Sequence, residues 1–152
     1  MKLSLRGEYA LRALVALGEQ FDRGIVPIQT ISEQQSIPKR FLEQILNDLR
    51  SGGFVESRRG MAGGYRLARP PEQITLASLI HYTEGALVPT PVLAEKNSRR
   101  TARPDETQAA IHSVVKEVRD AILTVLENVT VADLCERARK LRSATAGQDY
   151  VI

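Results

Sequence analysis

Apolar positions along this chain recur mostly at helical spacing. From Glu8 to Leu17, Ala10, Ala13, Leu14 and Leu17 share one face, and Gly18 follows as a C-terminal stop. After a loop over Phe21–Val26, Ile28 and Ile31 are the inward residues of a short helix over Ile28–Gln35. The triplet Ser36-Ile37-Pro38 predicts a new helix start, because a Ser side chain can cap first-turn amides and Pro is tolerated there. That third helix runs to about Arg50 with a broad stripe of Phe41, Leu42, Ile45, Leu46 and Leu49, and Ser51-Gly52-Gly53 stops it.

The period then changes. Phe54–Arg59 alternates as a strand, Gly60-Met61-Ala62-Gly63-Gly64 turns, and Tyr65–Ala68 returns, which predicts a β-hairpin. Pro70-Pro71 ends it, and Thr75 caps a helix carrying Leu76, Leu79 and Ile80 as far as Gly85. Residues 88–106 hold three Pro and four basic residues with no sustained periodicity, the pattern of a long functional loop. Beyond it Ile111, Val115, Val118, Ile122, Val125 and Val129 are spaced 4-3-4-3-4, a heptad seam widened by Val114, Leu123 and Leu126. Such a narrow stripe seeks a partner helix. Thr130-Val131-Ala132-Asp133 reads as a capping box that starts a last helix, with Val131, Leu134, Ala138 and Leu141 inward and a polar, frayed tail from Ser143.

The predicted fold is therefore mainly α. A winged helix-turn-helix domain occupies residues 1–85, an effector-region loop 88–106, and a dimerisation helix with a C-terminal helix 107–142.

Composition narrows the function. With 152 residues, 43% hydrophobic and 26% charged, the chain matches ordinary globular proteins rather than disordered or fibrous ones. Its single Cys, Cys135, excludes an internal disulfide and an all-thiolate zinc site. No apolar run approaches the roughly 20 residues of a membrane helix, and the N-terminus lacks a signal-peptide core, so a cytoplasmic protein without a membrane partner is expected. The net charge of +3 is unevenly spread: residues 1–70 carry 11 Lys and Arg against 7 Asp and Glu, residues 71–152 carry 10 against 11. A basic first half suits a polyanion. Catalytic residues are not expected. There is no Ser/His/Asp set, no phosphate-binding loop and no helical His/Glu metal pair, and the glycines at 60–64 lie between strands rather than before a helix.

The third helix and the hairpin carry the chemistry instead. Subtracting the apolar stripe leaves Ser36, Lys39, Arg40, Glu43, Gln44 and Asn47 outward. Ser36 and Lys39 suit phosphates, Arg40 guanine, Gln44 adenine and Glu43 cytosine, while Pro38 marks the helix start where phosphate is favoured. Arg58, Arg59, Arg66 and Arg69 surround the glycine turn, where Gly60 would let the backbone approach DNA while an Arg enters the minor groove. Double-stranded DNA is the expected partner.

Three strings resemble a known family: Glu8-Tyr9-Ala10-Leu11, Ile37-Pro38 with Phe41-Leu42-Glu43-Gln44-Ile45-Leu46, and Arg59-Gly60-Met61-Ala62-Gly63-Gly64-Tyr65-Arg66-Leu67-Ala68. They are similar to the Rrf-type family of bacterial winged-helix transcription regulators, with its iron–sulfur assembly, nitric-oxide-sensing and cysteine-metabolism branches. The likeness is dense over residues 1–85 and looser over 107–141, where Val129-Thr130-Val131-Ala132-Asp133-Leu134 matches. The resemblance implies a homodimer held by the long helix on a palindromic operator, with repression as the expected mode.

The chain departs from the cluster-bearing members, which carry three cysteines before the dimerisation helix; residues 88–106 contain none. An iron–sulfur cluster needs thiolates, so neither cofactor nor metal site is expected. Glu8, His81 and His112 are the remaining donors. Glu8 reads as a first-turn helix acid, the histidines as surface or packing residues, and Cys135 as a small buried hydrophobe. The signal would then come from a small molecule or a regulatory protein, as in the cysteine-metabolism branch. The alternative reading is a protein-interaction module with a vestigial winged helix, docking through the basic 88–106 loop; a third is redox sensing by Cys135 alone.

Overall fold

The computed structural model describes residues 2–85 and 105–149. Apart from Asp105 and Glu106, the proposed effector loop lies outside the described residues, as does the end of the chain from Tyr150. The elements in order are α1 (Leu5–Glu19), α2 (Ile28–Gln35), α3 (Lys39–Ser51), β1 (Val55–Arg58), β2 (Gly64–Leu67), α4 (Leu76–Glu84), α5 (Glu106–Asn128) and α6 (Val131–Asp149). The mainly helical expectation holds, with one small two-stranded sheet.

α1 is the hub, packed against α2, α3, α4, α6 and β2. Small residues make this possible: Ala10, Ala13 and Ala16 are buried beside Leu14 and Leu17, so neighbouring helices come close. The helix starts earlier than its apolar stripe, because the Ser4 hydroxyl accepts the Gly7 N–H at 3.0 Å and caps it. Gly18 does not end it. It sits inside the helix, where a Cβ would fall 2.8 Å from Cys135 Sγ and 3.1 Å from Val131 Cγ1. Glycine is there to admit α6.

The hairpin pairs Val55 with Leu67 and Arg58 with Gly64. Val26 adds a bridge to Tyr65, so the segment before α2 extends the sheet. β1 does not alternate: Phe54 and Val55 are both buried and Glu56, Ser57 and Arg58 all exposed, because the chain enters the core only at its start.

The predicted caps of α4 and α6 are both present. Thr75 Oγ1 accepts the Ser78 N–H at 3.2 Å; Thr130 Oγ1 accepts the Asp133 N–H at 3.2 Å while Asp133 accepts the Thr130 N–H at 2.8 Å. The two capping threonines also face each other in an antiparallel bridge, with Leu76 N–H donating to Val129 O and Val131 N–H to Ile74 O. This link ties the start of α4 to the start of α6. It also removes Val129 from the heptad seam, since that residue follows α5 in extended backbone (φ −105°, ψ 127°).

α6 differs from expectation at its far end. Val131 and Cys135 are buried against α1, but Leu141 is 69% exposed, because α6 outruns the core it packs on. The segment from Ser143 is not frayed; the helix continues to Asp149. Arg142, which pairs with Glu19 of α1, holds its middle.

Candidate nucleic-acid interface

α2 and α3 are joined by a turn of three residues. Ser36 adopts the left-handed conformation (φ 53°, ψ 43°) and closes α2. Ile37 is buried, its N–H donates to Ser32 O at 3.1 Å, and its carbonyl accepts the Ser32 hydroxyl at 2.6 Å. Ser36 is therefore not the cap of α3. Pro38 occupies that position, no side chain caps the helix, and the Pro38 carbonyl accepts the Leu42 N–H at 2.9 Å. An N-terminus left this way keeps its partial positive charge toward solvent.

Leu42, Ile45, Leu46 and Leu49 bury one side of α3 against the core. Lys39, Arg40, Glu43, Gln44 and Asn47 stand exposed on the other, and Ser36 and Pro38 are exposed just before them. Phe41 departs from its place in the buried stripe: it is 40% exposed. It lies at the stripe's edge, where the Tyr9 ring of α1 meets it edge-on at 5.8 Å between centroids. The Arg12 guanidinium stands 5.9 Å from the same Tyr9 ring.

In the wing, Gly60 at the tip has φ 107°, a backbone conformation that favours glycine. Arg58 and Arg59 beside it are exposed. Among the described residues Lys39, Arg40, Arg58 and Arg59 form no ion pair, so their charge is available to a ligand. Two arginines of the hairpin are otherwise engaged. Arg66 pairs at 2.8 Å with Glu56, its cross-strand neighbour, and Arg69 stacks 5.6 Å from the Phe54 centroid. The four-arginine ring expected around the turn thus reduces to Arg58 and Arg59.

An open groove of about 470 Å³ between α2, α3 and the wing gathers Asn47, Arg58, Arg59 and Gly60. Pro38, Arg40, Phe41 and Gln44 share a second depression at the start of α3. Ser36, Lys39 and Glu43 are exposed but line neither. The first groove also contains Arg50, which donates to Ser57 Oγ at 3.2 Å and so stands beside the wing. Sequence reasoning missed it, since a basic residue in a last helical turn is already explained by the helix dipole. Its spacing from Glu43 and Asn47, seven and three residues, was the available signal.

The expected partner seam lies on α5. Ile111, Val118 and Val125, with Val114, are each more than half exposed; Val115 and Ile122 are half-buried, and Leu126 alone is buried in its own chain.

Cys135 lies away from both surfaces. Its thiol donates to Val15 O at 3.5 Å, and burial raises its pKa, with Arg139 opposing in part. A protonated, enclosed thiol is a poor redox sensor.

The sequence model of the Rrf2 family, described as an iron-dependent transcriptional regulator, matches residues 3–137. The CymR regulator of Bacillus subtilis is 31% identical over 134 residues, covering 88% of this chain and 89% of CymR. The solved structure of CymR, the global cysteine regulator of that organism, superposes with a TM-score of 0.76 at 28% identity over 90% of this chain and 98% of that one. The structure of T. potens IscR gives 0.70 at 32% identity, over 91% and 88%. These relatives are transcriptional regulators, not enzymes. No helix among the described residues is long and apolar enough to cross a membrane.

The donors present do not fit an iron–sulfur cluster. The sole thiol is enclosed between α6 and α1, no group of three His, Cys, Asp or Glu converges among the described residues, and residues 86–104 contain neither Cys nor His. Glu8 sits in the first turn of α1, bound to Arg12 at 2.7 Å, and His81 is exposed. With its helix-turn-helix, its wing and this match along most of its length, the chain belongs to the Rrf2 family of DNA-binding transcriptional regulators.

Proposed function

We propose that the chain acts as a homodimer on a palindromic operator, repressing transcription without an iron–sulfur cluster. The observation that carries this reading is the exposed strip of Ile111, Val114, Val118 and Val125 along α5. A helix that sends Leu126 into its own chain and leaves a row of branched side chains in water is best satisfied by a second copy of itself. A two-fold dimer presents two recognition helices in opposite orientation, and a palindrome matches that symmetry.

In this reading α3 enters the major groove. Arg40 reads guanine, Gln44 adenine and Glu43 cytosine, while Ser36 and Lys39 contact phosphates near Pro38 and the uncapped helix start. Arg59 reaches the minor groove from the tip shaped by Gly60, and Arg58 meets the backbone. The effector is a small molecule or a regulatory protein engaging residues 88–106. Because CymR is a global cysteine regulator, cysteine metabolism is the first place to look for it.

Mobility-shift titrations on the chain's own promoter region test the surface. Arg40→Ala and Arg59→Ala are each expected to lose about 1–3 kcal/mol of binding, with a steep fall in affinity as salt rises. Unchanged binding by both variants would remove these residues from the interface. The dimer prepared without oxygen is expected to be colourless and iron-free yet still bind DNA.

A further inference from the structure

α3 shows solvent one large apolar side chain among its polar ones. Phe41 is 40% exposed on the first turn, and Pro38, Arg40 and Gln44 line the same shallow depression. The ring is held rather than loose. Tyr9 meets it edge-on with an interplanar angle of 84°, and the Arg12 guanidinium stacks on Tyr9 in turn. A fixed apolar surface therefore stands between a guanidinium and a carboxamide on the face presented to DNA.

The polar side chains of that face leave one base feature without a matched contact, the thymine methyl. Arg suits guanine, Gln adenine and Glu cytosine, but thymine is marked in the major groove by its 5-methyl group, which only an apolar contact can recognise. We propose that Phe41, with Pro38, forms a seat for the 5-methyl group of a thymine in the operator. The inference rests on α3 being the recognition helix and extends it to the thymine methyl group, which the polar residues do not match. A ring and a pyrrolidine cover a methyl group or two, far less than the roughly 800 Å² per partner of a stable protein interface. Arg40, unpaired among the described residues, lines the seat, and Lys39, likewise unpaired, is its neighbour in the chain; both bring charge that suits DNA.

The test begins with duplexes selected from a random library by the wild-type protein. Each thymine of the selected site is then replaced singly by deoxyuridine, which removes only the methyl group. At one thymine per half-site, wild-type affinity should fall about four-fold, the worth of one buried methyl. Phe41→Ala should bind the thymine duplex more weakly and no longer distinguish thymine from deoxyuridine there, while Phe41→Leu keeps part of the distinction. The proposal is overturned if Phe41→Ala weakens both duplexes equally and keeps the wild-type ratio, since the ring then serves only to pack Tyr9. It is also overturned if no position is sensitive to demethylation in the wild type. Gln44→Ala separates the two readings. If that variant selects a changed sequence while Phe41 has no effect on the ratio, the recognition helix stands and the thymine seat falls; if wild type selects no sequence, both fall.

Discussion

α3 and α5 carry the same kind of signal, an apolar stripe at helical spacing, and the folded chain treats them in opposite ways. Four of the five stripe residues of α3 are buried against the core of their own chain. On α5, a helix of 23 residues, only Leu126 is buried. A stripe is a demand for burial and carries no address. α3 is short, follows α2 by a tight turn and packs on the small-residue hub of α1, so its stripe closes within the chain and the opposite, polar face is left for a ligand. α5 is longer than anything it packs on, so its apolar face is left over for the proposed second copy to cover.

The contrast can be broken at either helix. Leu46→Ala removes a fully buried side chain from α3 and should cost about 2–5 kcal/mol of unfolding free energy in a urea titration. Val118→Asp should do the reverse. Val118 is 53% exposed in the single chain, so the fold should persist by circular dichroism while sedimentation shows a monomer and DNA affinity drops at least ten-fold. A dimer that survives Val118→Asp would place the second copy on another face.

Gly18 sharpens a third packing choice, that of α6 on α1. Ala is a better helix former by about 1 kcal/mol, yet its Cβ would sit 2.8 Å from Cys135 Sγ. Gly18→Ala should therefore lower the melting temperature by a few degrees, and adding Cys135→Ala should restore it. The smallest effect concerns Asp133. Its hydrogen bonds from the Thr130 N–H and hydroxyl hold its pKa below the ordinary carboxylate value, so the stabilising contribution is present above that value and lost as pH falls through the lowered one. Asp133→Asn should flatten this acid-side loss in thermal melts below pH 4.

Much of the molecule is legible along the chain because its cues are local. Thr75 and the Thr130–Asp133 box are short-range hydrogen-bonding motifs, and the hairpin follows from its glycines. What escaped is what neighbours decide. Gly18 looks like a helix stop until α6 arrives beside it, and Phe41 belongs to a stripe until it proves 40% exposed beside the Tyr9 ring. Arg66 and Arg69 resemble Arg58 and Arg59 until Glu56 and the Phe54 ring occupy them.

The sequence by itself determined the candidate DNA surface: a polar face on α3, a wing with a glycine tip, and a donor set without the thiolates of a cluster. These depend on residue identity and on periodicities that the backbone imposes within a few residues. Only the tertiary structure decided which charges remain unpaired among the described residues, that Arg50 joins the wing at Ser57, that Val129 leaves the seam for a bridge beside Leu76, and that an aromatic ring stands exposed among the polar side chains of α3. Each of those turns on what a distant segment brings alongside, because burial and ion pairing are properties of pairs of surfaces and not of positions in a chain.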